Sequence, residues 1–350
     1  MASELRIGII GCGEIAMQTC QGIATAPNAS VAMLMDPRPE LLADLSEMLS
    51  APTTTSIDDV LNSPDVDAVY IATPHNQHAP IGIRAAAAGK HILVEKPIAT
   101  TLADADALIA ACEKHGVTLG VAYLAPVDGG MAAARDLVRG GALGEITAVR
   151  ITAQADKPDT YWTGGYTRRV RTTWRTSKEE AGGGILIMNV IHDLNTVRWV
   201  TGLEVTRVYA ECGTLATPVE VEDTVGVVMR YANDAIGVIQ AGSAMRGGAH
   251  EDRRGPRVYG TKGQLILTDN EPLVWLAEPL EGGSPGTWQP VRHSGPRDAR
   301  AELVRRFAAA ALAGERPPST GLDGRKALEI VLAAYRSGER HESVSLPLDA

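Results

Sequence analysis

The first third of the chain alternates between short apolar runs and longer stretches with helical periodicity. The apolar runs predict β-strands at 5–10, 31–35, 68–72, 91–95 and 117–123. The periodic stretches predict α-helices at 16–26, 40–49, 79–88 and 102–115. Repeated strand–helix–strand units build a parallel sheet with helices on both faces, so this part of the chain predicts a doubly wound α/β domain.

The pattern changes after residue 125, where alternating runs become prominent. A hairpin is predicted at 225–231 and 235–241, because the turn-forming Ala232-Asn233-Asp234 separates two alternating runs. Other strands are predicted at 146–154, 264–268 and 273–276, and helices at 131–140, 299–313 and 325–336. We therefore expect an α+β domain at 125–350, with a large, open, mostly antiparallel sheet, after the doubly wound domain at 1–124.

Composition narrows the class of protein. A chain of 350 residues suggests two domains, and 45% hydrophobic with 21% charged residues is typical of a soluble globular protein. Its 33 basic and 42 acidic residues give a net charge of −9, which argues against a nucleic-acid-binding surface. Neither a signal peptide nor a membrane span is expected. The four cysteines form no CxxC pair, so we predict a reduced, cytoplasmic protein.

A glycine-rich turn lies between the first predicted strand and helix, in the order Gly11-Cys12-Gly13-Glu14-Ile15-Ala16. Gly11 permits a tight turn, Gly13 allows a pyrophosphate to approach the backbone, and the small Ala16 allows close helix–strand packing. The helix N-terminus offers free N–H groups and a positive dipole end to phosphates. By itself the pattern also fits an ordinary tight turn, so its context decides between the two.

The context includes an acidic residue at the end of the second strand. Asp36 follows Ala16 by twenty residues, where a carboxylate accepts hydrogen bonds from the adenosine ribose of a bound dinucleotide. The six residues of the turn and Asp36 together predict a dinucleotide site. Because Asp36 would repel a 2′-phosphate, NAD is favoured as the cofactor, whereas Arg38 leaves NADP possible.

Three further motifs carry a resemblance to a known family. They are Thr73-Pro74-His75-Asn76-Gln77-His78, then Gly89-Lys90-His91-Ile92-Leu93-Val94-Glu95-Lys96-Pro97, and the cluster Gly182-Gly183-Gly184 followed by His192. With these motifs the chain resembles, over nearly its whole length, the Gfo/Idh/MocA oxidoreductases, named after glucose–fructose oxidoreductase and inositol dehydrogenase. The resemblance implies a nicotinamide-dependent interconversion of alcohol and ketone, usually on sugars, polyols or related ring compounds.

The same resemblance implies roles for residues and domains. Thr73, Pro74 and His78 would lie on the cofactor side. Glu95 would border the nicotinamide, and Lys96 would contact both the cofactor and the reacting oxygen. The domain after residue 124 would bind the substrate. One face of its open sheet often forms an oligomer interface in the family, so a homodimer or homotetramer is expected.

Lys96 also qualifies as a catalytic residue on chemical grounds. Oxidation of an alcohol by hydride transfer needs a group that takes the hydroxyl proton. Lys96 follows a buried strand at the edge of the sheet where such folds bind ligands. Desolvation and a nearby oxidised nicotinamide would lower its pKa towards a useful value. The alternative is the usual one for lysine, a solvated surface position.

His192 is the second candidate for catalysis, on the helix after the triple glycine. Many members of the family place an aspartate four residues before this histidine, where this chain has Met188, and another three residues after it, where it has Asn195. Asn189, at i−3, lies on nearly the same helix face and is the expected neutral partner of the imidazole. Lys96 is therefore expected to handle most of the proton transfer. A lone helical histidine is otherwise a structural residue.

Other substrate contacts are expected from a cationic, aromatic segment and from Tyr123. Residues 156–178 contain four aromatic residues and six cations, and the pair Trp174-Arg175 lies before the glycine cluster and the helix that carries His192. They predict either a flap that packs rings on a cyclic ligand and meets a carboxylate with arginine, or an oligomer arm. The family's usual asparagine and arginine are missing in the region that starts at Tyr123, which weakens any transfer of a known sugar specificity.

The expected function is interconversion of a secondary alcohol and a ketone on a sugar, inositol or similar cyclic polyol. A cis-dihydrodiol dehydrogenase for a cyclic carboxylate, or a non-catalytic NAD-binding sensor, are the alternatives. The His75-x-x-His78 spacing lacks accompanying Cys, Asp or Glu ligands, so no metal site is expected.

Overall fold

The structure is a computed structural model that describes residues 4–247, 255–268, 271–278, 284–296 and 298–348. The first three residues lie outside this part. Two compact units are formed. The first comprises 1–124, 158–182 and 298–328, and the second comprises 125–157, 183–297 and 329–350. The functional division at residue 124 stays a prediction.

The described residues form strands and helices in the following order. The strands are β1 Leu5–Ile10, β2 Ala29–Met35, β3 Thr53–Thr54, β4 Ala68–Ile71, β5 His91–Val94, β6 Leu119–Val121, β7 Ile146–Gln154, β8 Val205–Gly213, β9 Thr224–Tyr231, β10 Ile236–Gly242, β11 Arg257–Gly260, β12 Gly263–Ile266, β13 Leu273–Leu276, β14 Gln289–Pro290 and β15 Val344–Ser345. The α-helices are α1 Glu14–Thr25, α2 Ala43–Leu49, α3 Ile57–Asn62, α4 His78–Ala87, α5 Leu102–His115, α6 Gly129–Arg139, α7 Thr160–Gly164, α8 Lys178–Ala181, α9 Ile191–Thr201, α10 Ala299–Ala313 and α11 Gly321–Arg340.

The first unit contains a six-stranded sheet in the order β3-β2-β1-β4-β5-β6. Every pairing in it is parallel. The inner strand β4 is buried at every position, as expected for a parallel sheet covered on both faces. This order places the ends of β1 and β4, neighbours in the sheet, at its topological switch point, where ligands bind in such folds. The predicted doubly wound fold is confirmed.

Local signals explain where the helices of this unit begin and end. In α5, the hydroxyl of Thr101 accepts a hydrogen bond from the Asp104 amide at 3.1 Å, which caps the first turn. The same helix ends at Gly116, whose φ of +67° suits glycine. These start and stop signals are visible in the sequence, and the helix covers the predicted range 102–115.

The second unit contains a nine-stranded sheet in the order β14-β13-β12-β11-β7-β10-β9-β8-β15. Strands β7 and β10 pair in parallel, and the other pairings are antiparallel. The predicted hairpin is formed by β9 and β10, with Asp234 at φ +66° in the turn. Exposed and buried positions alternate along β10, so one face of the sheet is covered and the other is open. The prediction of a mostly antiparallel sheet is confirmed.

Candidate active site

The glycine-rich turn has the backbone geometry that a dinucleotide site requires. Gly11 has a φ of +92°, and a Cβ at this position would lie 2.7 Å from the Ala72 carbonyl oxygen. Its N–H donates to the Met35 carbonyl at 2.8 Å, which ties the turn to the end of β2. Helix α1 begins at Glu14 after Gly13, whose lack of a side chain leaves the first N–H groups for a ligand.

Asp36 is buried, with 1% of its surface exposed, and its carboxylate is held from two sides. Its Oδ2 atom accepts from the Cys12 amide at 3.0 Å. Its Oδ1 atom accepts from the amide and the Nε of Arg38, both at 3.0 Å. The ion pair keeps the Arg38 guanidinium beside the carboxylate. The positive charge that could have met a 2′-phosphate is therefore already matched within the unit.

Two other residues of the turn pack rather than react. Burial raises the pKa of the Cys12 thiol to about 12, so it is protonated at neutral pH and unsuited to nucleophilic chemistry. Ala16 is fully buried beneath the turn, as expected for the small residue that lets helix and strand approach. Ile15 is partly exposed on α1.

Beyond the turn, two half-buried side chains carry buried polar atoms that fit a cofactor site. The hydroxyl of Thr73 and the Oδ1 of Asn76 are buried and make no hydrogen bond to other described residues. Buried polar atoms usually have a partner, which a bound cofactor would supply. Together with the cradle at Gly11, these orphaned groups fit a dinucleotide. Pro74 lies in the loop after β4 and directly precedes a short 3₁₀ turn at His75–Gln77.

The histidines of this loop hold backbone groups. His78 places Nδ1 at 2.7 Å from the Pro97 carbonyl oxygen and Nε2 at 3.0 Å from that of Thr73. His75 places Nδ1 at 2.7 Å from the Ala181 carbonyl oxygen. No cluster of three His, Cys, Asp or Glu residues suited to a metal ion occurs among the described residues.

Glu95 lies at the end of β5 in a buried network. Its Oε1 accepts from the Tyr70 hydroxyl at 2.6 Å, and the Tyr70 hydroxyl lies 2.9 Å from that of Thr19. Arg300 donates to the Thr19 hydroxyl at 3.3 Å. Burial, reinforced by the Glu95 charge, raises the pKa of Tyr70 well above its ordinary value. The network fixes Glu95 next to Lys96. Sequence reasoning missed Tyr70, Thr19 and Arg300, which no motif marks.

Lys96 follows β5 directly and has the electrostatics of a general base. Burial lowers its pKa to about 8, and the positive charges of Arg175 and Arg300 contribute in the same direction. The Glu95 carboxylate opposes the shift. An amine with a pKa near neutrality can both accept and return a proton, which is the property expected of a catalytic lysine.

Part of the cationic segment lies against the glycine-rich turn. We call residues 160–176 the strap. Glu14 accepts from the strap amides of Tyr166 at 3.1 Å and Thr167 at 2.7 Å. Arg169 donates to the Cys12 carbonyl at 3.1 Å. It also donates to the Leu41 carbonyl and to Asp44, each at 2.7 Å. In this structure Glu14, predicted as a cofactor contact, therefore anchors the strap.

Trp174 and Arg175, predicted as substrate contacts, also lie in the first unit. The Trp174 ring centroid is 4.6 Å from that of His75. The Arg175 guanidinium lies 4.6 Å from the Trp174 ring centroid and 5.2 Å from that of Tyr161. It is also 4.0 Å from Glu14. Its charge is thus partly matched. Tyr123, the other predicted contact in this unit, is 1% exposed.

In the second unit, His192 lies in the first turn of α9, after a π-helix at Leu186–Val190. A buried carboxylate holds the start of this segment. Glu222 accepts from the amides of Gly184 at 2.5 Å and Leu186 at 3.0 Å, and from the Tyr335 hydroxyl at 2.8 Å. A Cβ at Gly184 would lie 1.8 Å from the Glu222 carbonyl oxygen, which explains why glycine is needed there. Glu222 and Tyr335 were not identified from the sequence.

Asn189 lies in the π-helix and contacts a lysine. Its Oδ1 accepts from Lys157 Nζ at 2.6 Å. It also lines a cavity of about 310 Å³, whose other lining residues are Thr152, Ala153, Gln154, Ala155, Ile185, Asp193, Gly255, Leu267 and Thr268. Met188 and Asn195, which stand where the family often has aspartates, are both buried. The expected partnership of Asn189 with His192 stays a prediction.

The structure therefore gathers the predicted residues into two sets. The first unit holds the glycine-rich turn, Asp36, Arg38, the cofactor-side loop, Glu95, Lys96, Tyr123, Trp174 and Arg175. The second unit holds Asn189 and His192. Among the described residues, no helix is both long and apolar enough to cross a membrane.

Family models match both parts of the chain. The NAD-binding Rossmann-fold model of the Gfo/Idh/MocA oxidoreductases matches residues 5–123. The model of the C-terminal domain of the same group matches residues 131–266.

Individual relatives match over nearly the full length. The chain is 30% identical to the uncharacterized oxidoreductase YrbE of Bacillus subtilis, over 96% of this chain and 95% of that protein. It is 29% identical to myo-inositol 2-dehydrogenase of Thermotoga maritima, over 98% of each.

Solved structures are similar as well. An aldose-aldose oxidoreductase from Caulobacter crescentus, complexed with glycerol, has a TM-score of 0.84 at 28% identity, over 98% of this chain and 100% of that one. Levoglucosan dehydrogenase in complex with NADH and levoglucosan has a TM-score of 0.84 at 25% identity, over 99% and 100%.

Proposed function

Because the chain belongs to the Gfo/Idh/MocA oxidoreductase family, we propose that it interconverts a secondary alcohol and a ketone on a sugar, inositol or similar cyclic polyol. The observation that carries the proposal is the position and the lowered pKa of Lys96. It lies directly after β5 in the NAD-binding Rossmann domain, with a pKa of about 8. A lysine with a lowered pKa beside a dinucleotide site suits alcohol oxidation better than a purely structural role.

The residues present fit NAD as the cofactor. When bound, it supplies the hydride acceptor or donor of the reaction. The turn at Gly11 and Gly13 and the start of α1 would hold the pyrophosphate through backbone N–H groups, and Asp36 would meet the adenosine ribose. Thr73 would give its buried hydroxyl a partner there.

Lys96 performs the proton transfer in this proposal. In its neutral form, Nζ accepts the hydroxyl proton of the alcohol, and in its ammonium form Nζ returns a proton to the ketone oxygen. The network from Arg300 through Thr19 and Tyr70 to Glu95 keeps the neighbouring backbone fixed. His192 orients the substrate and supports the proton transfer.

We propose a preference for NAD over NADP. The buried Asp36 carboxylate would repel a 2′-phosphate. Arg38, which left NADP possible, is paired with Asp36 and offers a phosphate less charge than a free arginine would.

A cyclic polyol is supported by the substrates that name two relatives, myo-inositol for one and levoglucosan for the other. The alternative of a cyclic carboxylate depended on the cationic segment and on the Thr73-Pro74-His75 run, and Arg175 of that segment lies 4.0 Å from Glu14. The Glu14 carboxylate partly neutralises the positive charge of Arg175, which the alternative needs to bind a substrate carboxylate. A non-catalytic sensor remains the other prediction.

Turnover measurements test the proposal. The protein is mixed with NAD⁺ or NADP⁺ and a panel of myo-inositol, levoglucosan, monosaccharides and a cis-dihydrodiol carboxylate, and reduced nicotinamide is followed by absorbance. The reverse reaction is followed with NADH and 1,5-anhydro-D-fructose, which names another relative. Turnover of a neutral polyol or sugar supports the proposal. Binding of NAD without turnover of any panel compound would favour the sensor.

A further inference from the structure

A buried lysine fixes which atom of a side-chain amide is available to a ligand. Lys157 is 3% exposed, and its Nζ lies 2.6 Å from the Oδ1 of Asn189. An ammonium group carries three donors and no acceptor, so the amide atom that faces it must be the oxygen. The NH₂ group of Asn189 is therefore on the branch directed away from the ammonium.

The Asn189 side chain lines a cavity next to the start of α9, the helix that carries His192. Asn189 and Asp193 both line the cavity of about 310 Å³ in the second unit. They are four residues apart, one on the π-helix and the other on α9, and Asp193 directly follows His192. The cavity thus has an amide and a carboxylate on neighbouring turns.

We propose that Lys157 is a positioning residue, which holds the NH₂ group of Asn189 in place as a hydrogen-bond donor. Asp193 is the acceptor beside it, and together the two groups bind the hydroxyl groups of a neutral polyol. A hydroxyl group can accept from the amide and donate to the carboxylate, whereas a substrate carboxylate can accept from the amide but has no proton to donate to Asp193. The inference rests on the proposed function and deepens it. It selects a neutral ring over the cyclic carboxylate.

The lysine matters because an amide alone has no strong preference between its two orientations. Its oxygen and nitrogen are similar in size and differ only in hydrogen bonding. A charge-assisted hydrogen bond is roughly twice as strong as a neutral one, so the ammonium biases the orientation strongly. Removing the charge would let Asn189 present either atom to the cavity.

The decisive variant is Asn189→Asp. Its control is Asn62→Asp, the same substitution at an exposed position. The aspartate keeps an oxygen for Lys157, replaces the NH₂ donor with an acceptor and adds a negative charge next to the Lys157 ammonium, and the control adds the same charge at the surface. The KM for the best neutral polyol of the panel should rise about 3- to 10-fold, as expected for one neutral hydrogen bond. The KM for NAD⁺ should stay unchanged. A KM for the polyol within twofold of the parent would overturn the inference.

A second variant tests the lysine itself. Lys157→Met should raise the KM for the same polyol by a similar factor, with the exposed Lys262→Met as the control. In the double variant Lys157→Met with Asn189→Asp, the effect should be smaller than the product of the two single effects, because both act on one donor. Independent, multiplicative effects would contradict the positioning role.

Calorimetric binding to the NADH-loaded protein separates this inference from the proposed function. Parent protein that binds myo-inositol but turns over no compound of the panel would contradict the proposed function, and weaker binding by Asn189→Asp would still support the inference. A parent that binds D-glucuronate more tightly than every neutral compound of the panel would overturn the inference, whatever the outcome of the turnover assay.

Discussion

The side chain of Lys96 is the residue on which the proposed chemistry depends. Lys96→Met removes the amine and keeps a chain of similar length, so turnover should fall by about 10²–10⁴-fold, the range typical of general acid–base groups. NAD binding should change little, because the phosphates are held by the turn at Gly11. Steady-state kinetics and NADH fluorescence titration measure the two effects. A loss of only a few-fold on the true substrate would show that the mechanism is wrong.

The pKa of Lys96 also predicts a pH dependence. Burial lowers this pKa to about 8, with Arg175 and Arg300 acting in the same direction and Glu95 opposing it. Alcohol oxidation needs the neutral amine, so kcat/KM for oxidation should rise with pH to a plateau, with a midpoint of about 8. Ketone reduction needs the ammonium form and should fall over the same interval. A flat oxidation profile between pH 6 and pH 10, roughly two units either side of that midpoint, would contradict this assignment.

Asp36 gives a prediction about cofactor choice. In Asp36→Ala the carboxylate is removed, and Arg38 loses the partner that it contacts at 3.0 Å. Like charges brought together in a binding site cost several kcal/mol, so the affinity for NADP⁺ should rise about tenfold or more relative to that for NAD⁺. Equilibrium titration of both cofactors with parent and variant measures the change. Equal affinities in the parent would remove the basis for the predicted preference.

Among the elements, the strap is held against the glycine-rich turn of the first unit by a set of hydrogen bonds from Arg169. Arg169→Ala removes hydrogen bonds to Cys12, Leu41 and Asp44. Amide hydrogen exchange should therefore quicken together at the strap amides of Tyr166 and Thr167 and at the glycine-rich turn, since opening free energies follow local contacts. Mass spectrometry of the exchanged peptides gives the measurement.

The matched control is Arg171→Ala, because Arg171 is exposed on the same segment. It should leave exchange at both places close to that of the parent. If Arg169→Ala also leaves exchange unchanged, these hydrogen bonds do not hold the strap.

Elements with complete local signals were predicted well, and elements shaped by their neighbours were not. Strand β7 covers its predicted range, 146–154. Strand β8 was missed because most of its outward residues are polar, and a register shift between Val205 and Arg207 interrupts its alternation. The predicted strand 117–123 is shorter, at Leu119–Val121, the three residues that pair in register with Ile92, Leu93 and Val94 of β5.

For the whole molecule, sequence reasoning could propose site residues where the signal lies within one short motif. The glycine-rich turn, Asp36 and Lys96 each belong to a short run with its own chemistry. Arg169 could not be placed, because its contact with Cys12 joins residues 157 apart. The bond between Arg300 and Thr19 joins residues 281 apart. Such pairs are created by tertiary packing.

The nine-stranded sheet ends in very short strands on both sides. In the part of the chain that the structure describes, β14 and β15 have two residues each, and Pro290 in β14 lacks an N–H group. An edge of this kind offers an incoming chain little backbone to pair with, and natural sheets use short edges and proline to avoid aggregation. A broad open sheet can thereby remain in concentrated solution without growing into strand-paired fibres.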